Sequence, residues 1–124
     1  MNIEEIRIVR MKTGEDVIGF VSDIDDSKIH VKYPMVVDIE EQSGHQAYVL
    51  HSWLPFQLYK HNEASLWSND VLFISEPSDS FIEYYNKMVA TLEKYITASE
   101  IMEHLDEEVV LSEALSEKAL SVIH

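Results

Sequence analysis

Over the first 77 residues, apolar side chains come in short runs with a period near two, broken by turn residues; this predicts strands. Residues 3–10 (IEEIRIVR) lead into Met11-Lys12-Thr13-Gly14-Glu15, where Gly14 supplies the positive φ of a tight turn. Residues 16–22 (DVIGFVS) resume the strand, and Gly19 at its middle predicts a strong bend or bulge. After the polar turn Asp23-Ile24-Asp25-Asp26-Ser27, residues 28–41 alternate, with His30 and Lys32 on one side and Ile29, Val31 and Tyr33 on the other. Pro34 withholds a ladder donor there and marks an edge or a bend. The turn Gln42-Ser43-Gly44-His45 leads to a fourth strand over 47–59, in which Pro55 again signals a bend or an edge. Residues 60–69 read as a loop and 71–75 (VLFIS) as a short, wholly apolar fifth strand.

After residue 77 the period lengthens. Ser80-Phe81-Ile82-Glu83 fits a capping box, and Phe81, Tyr85, Met88, Leu92 and Tyr95 recur every three or four residues. This predicts an amphipathic helix to about Ile96, then two short helices over 99–105 and 112–123 separated by Asp106-Glu107-Glu108. The chain thus divides into a β part, 1–77, and a helical extension, 78–124, packed on the β part or on a neighbouring subunit. The aromatic stripe reads as core, with a partner-binding groove as the sharper alternative.

Composition narrows the function. The 124 residues suit one domain, with 46% hydrophobic residues sufficient for a core. Nine basic residues against 23 acidic ones give a net charge of −14, which argues against gripping a polyphosphate through overall charge. The imbalance is uneven: residues 1–62 hold ten acids and six bases, residues 63–124 thirteen and three. The absence of cysteine excludes disulfides, thiolate metal sites and Cys nucleophiles. Residues 1–5 lack the basic and apolar regions of a signal peptide, and no apolar run reaches the ~18 residues of a membrane span. The expectation is a cytoplasmic protein with no membrane association. No HExxH, GxSxG or phosphate loop occurs, so neither an enzyme nor a cofactor is implied. His45 and His51 share a strand face but lie ~20 Å apart along an extended chain, too far to chelate one metal directly. Glu103-His104 has no companion ligand at i+4, and no metal site is expected.

Taken together, these stretches resemble the Sm-like proteins, the group that includes the LSm proteins and Hfq. Residues 11–21 (MKTGEDVIGFV) resemble the opening of the first Sm motif, a turn glycine followed by an apolar strand with a second glycine five residues on. Residues 66–74 (LWSNDVLFI) sit where the second motif places its hydrophobic-Arg-Gly-Asn-x-hydrophobic signature. With Val31-Lys32-Tyr33-Pro34 and Tyr84-Tyr85-Asn86, the pattern is similar to small Sm-like proteins of T4-like cyanophages, over roughly residues 3–86. For such an origin the cytoplasm is that of an infected host cell. The resemblance implies a mainly β fold with C-terminal α structure: a strongly bent, five-stranded antiparallel Sm-like barrel followed by helices. It also implies a homo-oligomeric ring of about five to seven copies, in which the final strand of one barrel pairs with the fourth strand of the next. Val71, Leu72, Phe73 and Ile74 are the interface strand in that reading.

The resemblance also points to two pore loops, which in RNA-binding Sm rings grip bases. The first carries an Asp, an aromatic and an Asn; here Asp23, Asp25 and Asp26 keep the carboxylates without the aromatic or the amide. In the second, Trp67 and Ser68 stand where Arg and Gly would be, and Asn69 keeps its type. Trp67 offers a stacking platform typically worth ~1–3 kcal/mol per base, but the phosphate-holding cation is gone. The plainer reading is a solvated acidic turn beside an aromatic that packs on a neighbour. Tyr59-Lys60-His61 echoes the Tyr-Lys-His of Hfq, but too far before the last strand, and reads as an ordinary loop. Arg7, Arg10, Lys12, Lys28 and Lys32 are candidates for a basic face, against the alternative of pairing with Glu4, Glu5 or a neighbour's acids. The favoured function is a non-enzymatic ring with RNA as candidate ligand. The rival is a protein-interaction scaffold ring without nucleic acid.

Overall fold

The computed structural model describes residues 4–104. It is mainly antiparallel β-sheet followed by one long helix. In chain order the strands are β1 (Glu5–Met11), β2 (Asp16–Asp23), β3 (Lys28–Gln42), β4 (His45–Ser52), β5 (Glu63–Trp67) and β6 (Val71–Ser75), with a single 3₁₀ turn, Ser68–Asp70, before β6. The helix α1 runs Asp79–His104. The sheet is open, in the order β4-β3-β2-β1-β6, and β5 pairs with β3 off that path. Two compact units divide the chain, residues 1–85 and 86–124. The first holds the whole sheet and the opening turns of α1.

The sheet has six strands where the sequence predicts five, because the expected fourth strand stops at Ser52. Trp53 donates its amide to the Pro34 carbonyl at 3.1 Å, and Pro55 starts a turn closed by the Leu58 amide at 3.0 Å. The chain returns to the sheet at Glu63, inside the stretch read as a loop. There Ala64 and Leu66 are half-buried while Glu63, Ser65 and Trp67 are exposed, the alternation of a one-sided strand. β3 serves both new neighbours. Its first half, Lys28 to Lys32, pairs with β5, and its second half, Met35 to Gln42, pairs with β4. The exchange falls at Tyr33, whose φ is 50°, and at buried Pro34, which has no amide to offer a ladder.

Gly19 produces the expected irregularity, a register shift between Ile18 and Phe20 against β3. A Cβ at Gly19 would lie 2.5 Å from Val31 Cγ1 and 3.0 Å from the Lys32 carbonyl oxygen, so only glycine lets β3 approach this closely. The core inside the sheet is Val9, Met11, Val17, Val21, Ile29 and Val31, with Trp53, Leu66 and Val71 packed against it. On the other face Tyr85 is fully buried, its ring centroid 5.6 Å from that of Phe20.

α1 differs from expectation at both ends. Ser78, not Ser80, provides the cap, its hydroxyl accepting from the Phe81 amide at 3.3 Å. The helix also continues through residues 97–104 without a break. No Gly or Pro lies between residues 78 and 104, and extending a helix is cheaper than starting another. Of the predicted stripe Tyr85 and Leu92 are buried and Phe81, Met88 and Tyr95 half-buried, while Val89, not in that stripe, is buried as well. The second predicted tail helix, 112–123, lies outside the described residues. No helix among the described residues is long and apolar enough to cross a membrane.

Candidate functional site

The two loops singled out in the sequence lie side by side. β5 brings them together, because its register sets Lys28 opposite Trp67 and Ile29 opposite Leu66. The Ser68 amide then donates to the Ser27 carbonyl at 2.7 Å, fastening the 3₁₀ turn to the acidic turn. A third tie comes from the β1–β2 turn, where the Lys12 amide donates to the Asp70 carbonyl at 2.8 Å.

Within the acidic turn Asp25 has a structural task. Its carboxylate accepts from the Ser27 hydroxyl and amide, both at 2.7 Å, and from the Lys28 amide at 2.9 Å. The Ser27 hydroxyl, followed by these amides, holds the Asp25 carboxyl below the usual carboxylate range, so it stays ionised. Asp23 ends β2, and Asp26 is exposed at the tip. Opposite them the Trp67 ring is 57% exposed, and Lys28 Nζ stands 4.4 Å from its centroid. The sequence shows the loss of the second-motif arginine and offers Lys28 for a basic face, but does not set Lys28 beside Trp67. This cation comes from β3 across the ladder, and its signal was the alternation of residues 63–67, missed because polar neighbours surround it. Ser68 is half-buried and Asn69 is exposed in the 3₁₀ turn.

The five basic residues do not form one face. Arg7 faces Gly19 and Lys32 faces Phe20, neighbours on β2 that project to opposite sides of the sheet. Arg7 is paired with Glu5 at 2.8 Å. Arg10 grips both carboxylate oxygens of Asp16, one contact at 2.8 Å, and lies 5.3 Å from the Phe73 ring centroid. Lys32 stands over Tyr33 at 5.8 Å. His30 approaches Glu63 at 3.7 Å on the same face as Lys28 and Lys32.

On the edge strand, Leu72, Phe73 and Ile74 are exposed, while Val71 packs on the core. β6 pairs with β1 on one side through Ile8↔Ser75, Val9↔Ile74 and Arg10↔Phe73. Among the described residues no three His, Asp or Glu side chains converge as a metal site. No family model matches the chain, and no curated protein does.

Proposed function

We propose that the chain is a subunit of a non-enzymatic, Sm-like homo-oligomeric ring, joined edge to edge through β6. One observation carries this reading: β6 ends the sheet with one edge on β1, and three of its five side chains are large, apolar and exposed. An open apolar edge of this kind is a template for pairing and is ordinarily covered. β5 matches it in length, five residues, and among the described residues pairs only with β3. Joining β6 of one copy to β5 of the next, in place of the 47–59 strand that the sequence offered as partner, leaves each copy with the same unfilled pair at its ends, a head-to-tail contact of the kind that can close into a ring. The strand order also suits a bent Sm-like sheet, since the last strand lies beside the first and the acidic turn beside the Trp67 turn.

RNA at the Trp67 turn is the ligand reading that the resemblance carries into the ring. Lys28 over Trp67 supports it, because an ammonium beside an exposed ring supplies both a stacking face and a charge for phosphate. The ionised Asp25 and its neighbours Asp23 and Asp26 favour the rival, a scaffold ring that contacts proteins and no nucleic acid.

The test is native mass by light scattering at low salt, with the 260/280 nm absorbance ratio recorded on the same peak. Five to seven copies of a 14.3 kDa chain give roughly 70–100 kDa. A ring mass with nucleic acid, lost on Trp67→Ala, supports the RNA ring. A ring mass free of nucleic acid supports the scaffold, and a monomer overturns the ring.

A further inference from the structure

The β3–β4 hairpin carries a second open edge, and its chemistry differs from that of β6. Ser43 and Gly44 have φ of 51° and 81°, the two positive values of a two-residue turn, and the ladder closes at Gln42↔His45. Facing pairs in an antiparallel ladder alternate between bonded and non-bonded, and a two-residue turn makes its closing pair bonded. The bonded pairs are therefore Gln42↔His45, Glu40↔Ala47 and Asp38↔Val49. The backbone groups of Gln46, Tyr48 and Leu50 point away from β3. Leu50 confirms the parity, since its amide leaves the ladder and donates to the Tyr84 hydroxyl at 3.3 Å. At Gln46 and Tyr48 the corresponding donors and acceptors face outward along an edge that carries no strand among the described residues.

The side chains beside that edge are sorted by face. On one face Ile39 and Tyr48 form a cross-strand pair, 54% and 63% exposed. On the other stand the exposed carboxylates of Asp38 and Glu40, with His51 Nε2 at 4.0 and 3.6 Å from them. Glu41, opposite Gln46 on the Ile39 face, is a third acid nearer the tip, and no Lys or Arg occurs between Lys32 and Lys60. At the middle of the hairpin, Ile39 and Tyr48 on one side and Asp38 and Glu40 on the other are the complement of a strand that alternates apolar and cationic residues.

We propose that the outer edge of β4 takes an extended basic segment of a partner protein as an added strand. Its backbone pairs with Gln46 and Tyr48, its apolar side chains cover Ile39 and Tyr48, and its Lys or Arg side chains reach toward Asp38 and Glu40. An added strand would lie roughly 10 Å from β3, within the combined reach of a lysine and a carboxylate side chain. Charge separates this occupant from the others. Residues 105–124 of the chain itself hold five acids and one lysine and would be repelled, as would a polyanion. β6 of a second copy (VLFIS) brings no cation. The proposal rests on the hairpin alone and stands whether or not the ring forms.

The experiment titrates full-length protein at low salt with an acetylated, amidated Lys-Val-Lys-Val-Lys-Val-Lys peptide, followed by calorimetry. The expected result is one peptide per chain, no binding of the Glu-for-Lys peptide, and about tenfold weaker binding when the central Val is Pro. Gln46→Pro removes an outward amide and no ladder bond, and should weaken binding by about tenfold with the circular dichroism unchanged. Tyr48→Lys, which adds a charge at an exposed site, gives a second variant with the same expected loss. Equal binding of the proline-interrupted peptide, or full affinity in Tyr48→Lys, would overturn the proposal. So would a native mass that falls in Gln46→Pro without peptide, because a second copy would then be the occupant.

Discussion

Tyr85 fastens the start of α1 to the sheet by two means. Its ring packs on Phe20, and its hydroxyl donates toward the Tyr33 and Lys32 carbonyls at 2.9 and 3.3 Å. Those carbonyls sit where β3 changes partners, so one hydroxyl ties the helix to the strand at that exchange. Burial, with a smaller contribution from Tyr33, pushes the Tyr85 hydroxyl far above its ordinary value. The unfolded chain therefore releases this proton first. The associated stability is fully present below about pH 10 and is lost as pH rises toward the raised folded value. Tyr85→Phe should cost about 1 kcal/mol at pH 7. Its stability should also fall less steeply between pH 9 and about 11 than that of the parent chain. Urea midpoints across that range check both, and equal alkaline slopes would contradict the assignment. Tyr85 was legible in the sequence as a member of an apolar stripe, and Gly19 as a bulge. The contact of Lys28 with Trp67 was not, because it joins residues 39 positions apart through a strand that the sequence did not reveal.

Among the elements, β1, β2 and β3 were readable from short patterned runs between turn residues, β6 from a wholly apolar run, and α1 from its stripe. Each carries its signal within a few residues. β5 failed that test because five residues between Asn62 and Ser68 offer only two half-buried side chains, Ala64 and Leu66. The capping box at Ser80 was outcompeted by Ser78, two residues nearer the Pro77 that ends the preceding segment. β6 is the element on which the proposed assembly depends. Leu72 is exposed in the single chain, so Leu72→Lys places an ammonium in water and leaves the fold intact. A lysine on an edge strand opposes further pairing. The variant should run as a monomer in light scattering with the far-ultraviolet circular dichroism of the parent. A ring mass retained in Leu72→Lys would remove β6 from the interface.

At the scale of the whole molecule, charge and edges act together. A net charge of −14 keeps copies apart at long range, yet β6 carries no charge at all, so repulsion is weakest where the apolar strand is open. The proposed assembly is not written in the β6 pattern itself, since an apolar strand reads the same whether its partner is its own core or another chain. The long strand β3 also has a consequence for how the molecule comes apart. It is bonded to β2 over residues 29–36, to β5 over residues 28–32 and to β4 over residues 35–42. Neither β4 nor β5 touches the other in the ladder, so each can peel from β3 alone, whereas β3 can leave only when everything lets go. In hydrogen–deuterium exchange the amides of residues 29–33 and 35–36 should be the last to label and should open only with global unfolding. Those at the Ser43–Gly44 tip should label first. Chain entropy would then be released from the hairpin end inward, leaving the middle of β3 as the last surviving fragment of native order.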